Sequence, residues 1–457
     1  MALLRTPPGT KDVLPTEAAE LRAIEDAVRA VFAEFGYGEV WTPVLEYEEV
    51  LALSEEKAFL TGFRLLDEAG KVLILRPDLT TPIARVVGSR LRGGASPHRV
   101  FTVSNVFRRT AAQRGQDSEF RQAGIELLGS ALPEADAEVI AVACRCLERA
   151  GLRGFRIGVG QVAFFAELVN ALGLEPDLVR RLMGDLVAKD LVGFRLSVEH
   201  HPRLADDERL ALMEVPDLRD GAAALDAAAT YVRSAGMQAA LDHMRATYEA
   251  LATYGYGDRL LFDFGIFRNL EYYTGLVFEI YAPGMGFTLG GGGRYDNLLA
   301  RFGAPMPAVG FGLGLDRLHV ALVEQGTDFG PPKPAVLMVG ALDRYVAVAD
   351  RLRRAGVGVF ALPAEVSAAE LTTLARQKDI PVLVEPVPGT AGSRWTVTDL
   401  RGGGVSEACA TEDLTTVVGH VVREHEPPAG PAREHQLPAG GARVHQPPAG
   451  GVRGEEP

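Results

Sequence analysis

Ala308-Val309-Gly310-Phe311-Gly312-Leu313-Gly314-Leu315-Asp316-Arg317-Leu318 is the stretch on which the fold turns. Side chains alternate faces along a strand, so glycine at every second position strips one face bare while Val309, Phe311 and Leu313 fill the other. After Gly314 the spacing becomes helical, with Arg317 in the first turns. A bare sheet face takes a flat ligand or simply allows tight packing. Upstream, Gly290-Gly291-Gly292-Gly293 leads into Arg294-Tyr295-Asp296. No phosphate-loop context surrounds these four glycines, and a tight turn accounts for them better.

Working outward, Phe120-Arg121-Gln122-Ala123-Gly124-Ile125-Glu126-Leu127 reads as a second strand of the same kind. Gln122, Gly124 and Glu126 share one face, and Ala123, Ile125 and Leu127 share the other. The polar face is either solvated or, with a glycine between two hydrogen-bonding side chains, a bed for a ligand in which Glu126 holds a cation or an imidazole N–H. Asn105-Val106-Phe107-Arg108-Arg109-Thr110 runs off another strand into a loop. An arginine at such a strand end can pair bidentately with a carboxylate or phosphate. Further β stretches fall at 72–75, 99–105, 260–264 and 275–281. Leu21, Ile24, Val28, Val31, Phe32 and Phe35 follow helical spacing, which predicts a helix with Thr16 as N-cap and Gly36 past its end. Glu39-Val40-Trp41-Thr42-Pro43 reads as an edge or interface strand interrupted by proline.

Three boundaries organise the rest. Residues 164–252 are rich in Leu, Ala and charges at helical spacing and read as a helical insertion within 1–330. Gly330-Pro331-Pro332-Lys333-Pro334 ends that block. Beyond it, strands at 335–339, 357–362 and 381–385 alternate with helices at 343–354 and 368–378, followed by β runs at 395–399 and 404–408. That pattern predicts a small α/β unit over 334–424. From His425 a ten-residue Pro/Gly/Ala repeat with almost no large apolar side chain reads as a disordered tail, 425–457.

The chain's net charge of −13 opposes general binding to nucleic acid or acidic membranes. Residues 1–332 hold 34 basic and 45 acidic side chains, and the α/β unit is nearly neutral, with 10 basic and 11 acidic between Lys333 and Glu424. Three cysteines without a CxxC pair fit a reducing, cytoplasmic setting and no structural zinc site. No uninterrupted apolar run reaches the roughly 18 residues of a membrane span.

Taken in order, Pro8-Gly9-Thr10-Lys11-Asp12-Val13-Leu14-Pro15, the strand at Pro43, Phe107-Arg108, Arg268-Asn269-Leu270-Glu271-Tyr272-Tyr273-Thr274-Gly275, Gly291-Gly292-Gly293-Arg294-Tyr295-Asp296 and the Gly312–Leu318 run resemble one family. It is that of class II aminoacyl-tRNA synthetases of the histidyl kind, and the likeness extends over nearly all of 1–424. The resemblance implies an α+β fold, with an antiparallel sheet domain carrying the helical insertion and a small α/β, anticodon-binding-like C-terminal domain. It also implies a histidine pocket of Asp78, Thr80, Arg108, Gln122, Glu126, Arg268, Tyr272 and Tyr273. Asp78 would receive the α-amino group, Arg108 would hold the carboxylate, and Arg317 would be the family's ATP-phosphate arginine.

The departures cluster in one place. Active members continue FR-x-E and carry two loop arginines, whereas this chain has Thr110 and, in Gly115-Gln116-Asp117-Ser118, Gln116 and Ser118 with a negative Asp117 between them. Losing two cations at a developing phosphate charge should cost several kcal/mol of transition-state stabilisation. A chain that keeps the amino-acid pocket but loses these contacts resembles the regulatory subunits of ATP phosphoribosyltransferase. That resemblance implies no catalytic residue, metal or cofactor in this chain, a short-form catalytic subunit as partner, L-histidine as effector, a homodimer through the motif 1 region around Pro43, and little affinity for tRNA. The alternative it leaves is an active histidine-tRNA ligase, favoured by the retained Arg268 and Arg317 and by a C-terminal unit that the regulatory members usually lack.

Overall fold

A computed structural model gives the architecture and describes residues 4–54, 62–109, 117–267, 273–329, 336–362, 368–378, 380–390, 392–401 and 406–424. The 120–127 alternation becomes a ten-residue strand, Glu119–Leu128, and the glycine-bearing stretch becomes the strand Ala308–Gly314 followed directly by the helix Leu315–Glu324. The two strands pair antiparallel, with Gly310 opposite Glu126, Gly312 opposite Gly124 and Gly314 opposite Gln122. They form the centre of a sheet of nine described strands. The order is Gly38–Glu39, His98–Phe107, Glu119–Leu128, Ala308–Gly314, Gly290–Arg294, Leu276–Tyr281, Arg156–Gln161, Leu260–Asp263 and Arg219–Asp220. Pairing is antiparallel except where Gly38–Glu39 meets His98–Phe107 and where Arg156–Gln161 meets Leu260–Asp263.

One face of this sheet is packed by the helices Pro15–Glu34 and Pro133–Arg149, and Ile125, Leu127, Val309, Phe311 and Leu313 share a core with Val28, Phe32, Ile140 and Leu147. Burial of such side chains at about 25 cal/mol per Å² is what holds the layers together. Arg121, on this same face, reaches Glu25 of the first helix at 2.5 Å, and Glu25 is almost fully buried. Burial raises the Glu25 carboxyl, but Arg121 and Arg29 outweigh it and hold it below the usual value.

Several local expectations are corrected. The first helix begins at Pro15 with Leu14 as N-cap and no side-chain cap, so Thr16 lies inside it. Proline at the first position sacrifices only an N–H that would be unsatisfied anyway. The strand expected over 39–43 is limited to Gly38–Glu39. Beyond it the carbonyls of Thr42 and Pro43 accept hydrogen bonds from the buried Arg76 guanidinium, at 2.9 and 3.3 Å, in place of a neighbouring strand. The four glycines form no turn. They make the strand Gly290–Arg294, sandwiched between Leu276–Tyr281 and Ala308–Gly314.

The region 164–252 carries the helices Val162–Ala171, Pro176–Ala188, Leu191–Glu199, Asp206–Glu214, Ala223–Ala229 and Ala235–Thr253, together with the two-residue edge strand Arg219–Asp220. Its Leu182, Phe194 and Leu212 join the same core cluster as the sheet.

The chain divides into two units, Met1–Pro332 and Lys333–Pro457. The second has a sheet in the order Val359–Leu362, Val336–Val339, Val382–Pro386, Arg394–Asp399, Ser406–Ala410, parallel over the first three strands and antiparallel over the last two. Its helix Leu414–Glu424 has no counterpart in the sequence reading. That helix inserts Leu414 and Val418 into a core with Trp395, whose indole N–H donates to Thr411 at 3.0 Å. The proline break at 330–334 and the repeat tail at 425–457 lie outside the described residues. Among the described residues, no helix is long and apolar enough to cross a membrane.

Candidate functional site

The polar face of the two central strands floors a cavity of about 410 Å³. A Cβ added at Gly310 would fall inside the van der Waals radius of Glu126 Oε2, and one at Gly312 inside that of Gln122 Nε2. The alternating glycines therefore leave room for two polar side chains to lie across the neighbouring strand. Tight packing, one of the two readings of these glycines, is what the strands show.

Of the expected pocket residues, Asp78, Thr80, Arg108, Gln122 and Tyr273 line this cavity. Asp78 precedes the helix Thr80–Val86 and accepts the Thr81 N–H at 2.7 Å. Burial raises the Asp78 carboxyl above its ordinary value, and the Thr81 N–H and the Arg108 charge oppose the rise without cancelling it. Arg108 donates from Nε to the Pro77 carbonyl at 2.7 Å and lies over the Phe120 ring at 5.4 Å. Arg268 and Tyr272 lie outside the described residues.

Glu126 is placed differently from the others. It does not line the cavity but is buried behind it, 3% exposed, accepting a hydrogen bond from the Tyr295 hydroxyl and another from Thr80. Burial is the main cause that pushes its carboxyl up to about 8; Tyr295 and Thr80 pull it down, and the Asp78 charge adds to the rise. An empty cavity thus holds Glu126 mostly protonated near neutrality, and a cation or an N–H donor brought to this end would favour its ionised form.

Sequence reasoning missed several lining residues. Tyr295 sits inside a stretch already singled out, and its role shows only when the Gly290–Arg294 strand places it opposite Glu126. Lys189 and Val187 come from the insertion, where Lys189 terminates the helix Pro176–Ala188 in the left-handed region, at φ 58°. Nothing local in the sequence signals that contact. Glu279, held by the Tyr281 hydroxyl at 2.6 Å, and Arg317, which donates to the Thr288 carbonyl at 2.8 Å, complete the charged wall. Cations (Arg108, Lys189, Arg317) and carboxylates (Asp78, Glu279, with Glu126 behind) face one volume, an arrangement matched to a zwitterion.

The segment after the 110–116 loop contrasts with this. Ser118 is 5% exposed; its N–H donates to the Gly9 carbonyl at 2.7 Å, and its own carbonyl accepts the Arg108 N–H at 2.8 Å. The position is committed to packing against the N-terminal segment. Asp117 directs its charge toward Lys11. Thr110 and Gln116 lie outside the described residues.

The fold and cavity define a histidyl-tRNA synthetase-like chain, and the histidyl-tRNA synthetase family model matches residues 9–318. The finer placement comes from curated relatives. The ATP phosphoribosyltransferase regulatory subunit of Desulforamulus reducens is 42% identical over 332 residues, covering 73% of this chain and 82% of that protein. That of Rubrobacter xylanophilus is 39% identical over 391 residues, covering 84% of this chain and 91% of that protein. The chain belongs to the ATP phosphoribosyltransferase regulatory subunit family. Because the second match covers more of the chain than Met1–Pro332 could supply, a regulatory member does extend into the C-terminal unit, and that unit ceases to argue for a ligase. Among solved structures, an ATP phosphoribosyltransferase regulatory subunit/histidyl-tRNA synthetase from Bacillus halodurans superposes with a TM-score of 0.73 at 34% identity, covering 81% of this chain and 96% of that one. A histidyl-tRNA synthetase from Nostoc, at 22% identity and a TM-score of 0.78, shares the fold.

Proposed function

We propose that this chain is the regulatory subunit of ATP phosphoribosyltransferase in histidine biosynthesis, acting in the cytoplasm without catalysis of its own. It would assemble with a short-form catalytic subunit and relay L-histidine to it. The observation that carries the reading is the contrast between the cavity and the segment around Ser118, which pairs with the Arg108 backbone beside it. A cavity built for an amino acid is fully furnished by Asp78, Arg108, Gln122, Tyr273 and Tyr295 over Glu126, while position 118 is occupied by a buried serine instead of a phosphate-facing arginine. Histidine binding tighter in one state of the complex than in the other shifts the complex toward that state, by no more than the difference in affinity. We assign the work to a synthetase-like domain, 1–330, with its helical insertion at about 164–252, which precedes an α/β, anticodon-binding-like domain, 334–424, and a repeat tail, 425–457.

A second copy is proposed to dock on the face around Pro43, where Trp41, Val44 and Leu45 are exposed, Trp41 by 82%. The cytoplasmic setting is supported by Cys144, Cys146 and Cys409, which are all free, buried thiols. An active histidine-tRNA ligase is not favoured, because the relatives carry the regulatory name and the motif 2 cations are replaced. Histidine-dependent exchange of pyrophosphate into ATP separates the two readings. The purified chain is expected to give none above background, and clear exchange would overturn the non-catalytic assignment.

A further inference from the structure

Behind the cavity wall lies a charged cluster that touches no ligand-facing surface. Asp136, in the first turn of the helix Pro133–Arg149, has no exposed side-chain surface. Arg294, at the end of the central glycine strand, contacts its carboxylate through Nε, 3.2 Å from both oxygens, and through Nη2 at 2.5 Å. The remaining guanidinium protons go to the Ser130 carbonyl at 3.0 Å, the Leu132 carbonyl at 3.4 Å and Asp296 at 3.2 Å. His243, from the helix Ala235–Thr253 that closes the insertion, places Nε2 3.0 Å from Asp136 Oδ2. A buried carboxylate so paired cannot fall back on water, so each partner is held where it is.

What Arg294 fixes is the pair of tyrosines. Its carbonyl accepts the Thr274 N–H at 2.8 Å, and the Asp296 N–H donates to the Thr274 hydroxyl at 3.0 Å, clipping the segment that begins with Tyr273. The next residue along, Tyr295, donates its hydroxyl to Glu126. Each cavity tyrosine is thus adjacent in the chain to a backbone group pinned by this cluster.

We propose that Asp136, Arg294 and His243 form a positioning cluster that holds Tyr273 and Tyr295 in place and thereby sets the selectivity of the cavity for an imidazole over other five-membered aromatic rings. The inference rests on the histidine-pocket reading above. Glu126 distinguishes a ring N–H from a ring without one only while the Tyr295 hydroxyl keeps its carboxyl oriented. A cluster acting through the tyrosines would change that discrimination and leave recognition of the amino and carboxylate groups, by Asp78 and Arg108, unchanged.

The test measures calorimetric affinities for L-histidine and L-thienylalanine, which shares the backbone groups and ring size but has no ring N–H. Arg294→Lys keeps the charge and loses the fork; it is expected to weaken histidine about tenfold, the scale of one charge-assisted hydrogen bond, with thienylalanine within about twofold. His243→Ala, at a partly exposed position, is expected to lose roughly threefold of discrimination, and His243→Gln, which can still donate to Asp136, to restore most of it. If Arg294→Lys does not fold, the His243 pair decides. Equal weakening of both ligands, or unchanged discrimination in a folded His243→Ala protein, overturns the inference. Failure of the wild-type chain to prefer histidine overturns instead the pocket reading beneath it.

Discussion

The cavity and the neighbouring Ser118 segment are built on different principles. In the cavity the key polar groups are answered within the chain: Tyr295 and Thr80 on the Glu126 carboxyl, the Thr81 N–H on Asp78, the Pro77 carbonyl on Arg108. At Ser118, outside the cavity lining, the backbone holds the N-terminal segment, through Gly9, and the side chain is a buried hydroxyl. Preorganised groups stabilise charge only where they are aimed beforehand. Because the cavity and the Ser118 segment rest on different neighbours, one can change while the other stays.

The sharpest break is in the cavity. Glu126→Ala leaves the Tyr295 hydroxyl unanswered in a buried site and should weaken histidine binding about a hundredfold by calorimetry, the upper range for a lost hydrogen bond to a charged group. Unchanged affinity would mean the buried carboxyl serves folding alone. Gly310→Ala should cost almost as much binding and about 1–3 kcal/mol of stability, since the methyl displaces Glu126 from the floor. Asp78→Asn keeps the shape, and an acceptor for Thr81 N–H, yet removes the carboxylate proposed to meet the α-amino group; about a tenfold loss is expected.

A smaller effect tests the electrostatics without ligand. Glu126 binds its proton more tightly folded than unfolded, so its contribution to stability is fully present below about pH 4.5 and is lost as pH rises through about 8. The unliganded Glu126→Gln protein should therefore lose that part of the decline in melting temperature between pH 5 and 8. An identical pH profile in variant and wild type contradicts the burial argument. Outside the cavity, Ser118→Arg should lower the melting temperature, because the position is packed against Gly9, and should leave pyrophosphate exchange at background.

Much of this site was legible in the alternation of two strands. That Gln122, Gly124 and Glu126 share one face, and Gly310, Gly312 and Gly314 another, follows from period-two side-chain placement; that the two sets lie opposite each other is seen only in the pairing of the strands. What stayed hidden depends on contacts distant in sequence. A run of four glycines has no periodicity of its own, and only its sandwiching between two strands makes it a strand. Lys189 enters the cavity from a helix terminus more than sixty residues from Glu126, and the Asp136–Arg294 pair spans two elements whose meeting no local pattern records. Thr16 failed as a cap because Pro15 starts the helix one residue earlier.

Dimerisation and partner assembly bear on the whole account, and one measurement addresses it most directly. ATP phosphoribosyltransferase turnover by the short-form catalytic subunit is followed with and without this chain, over a range of L-histidine concentrations. The account predicts that the chain co-purifies with that subunit and that inhibition by histidine depends on its presence and is lost with Glu126→Ala. A catalytic subunit that is equally active and equally histidine-sensitive without the chain would contradict it.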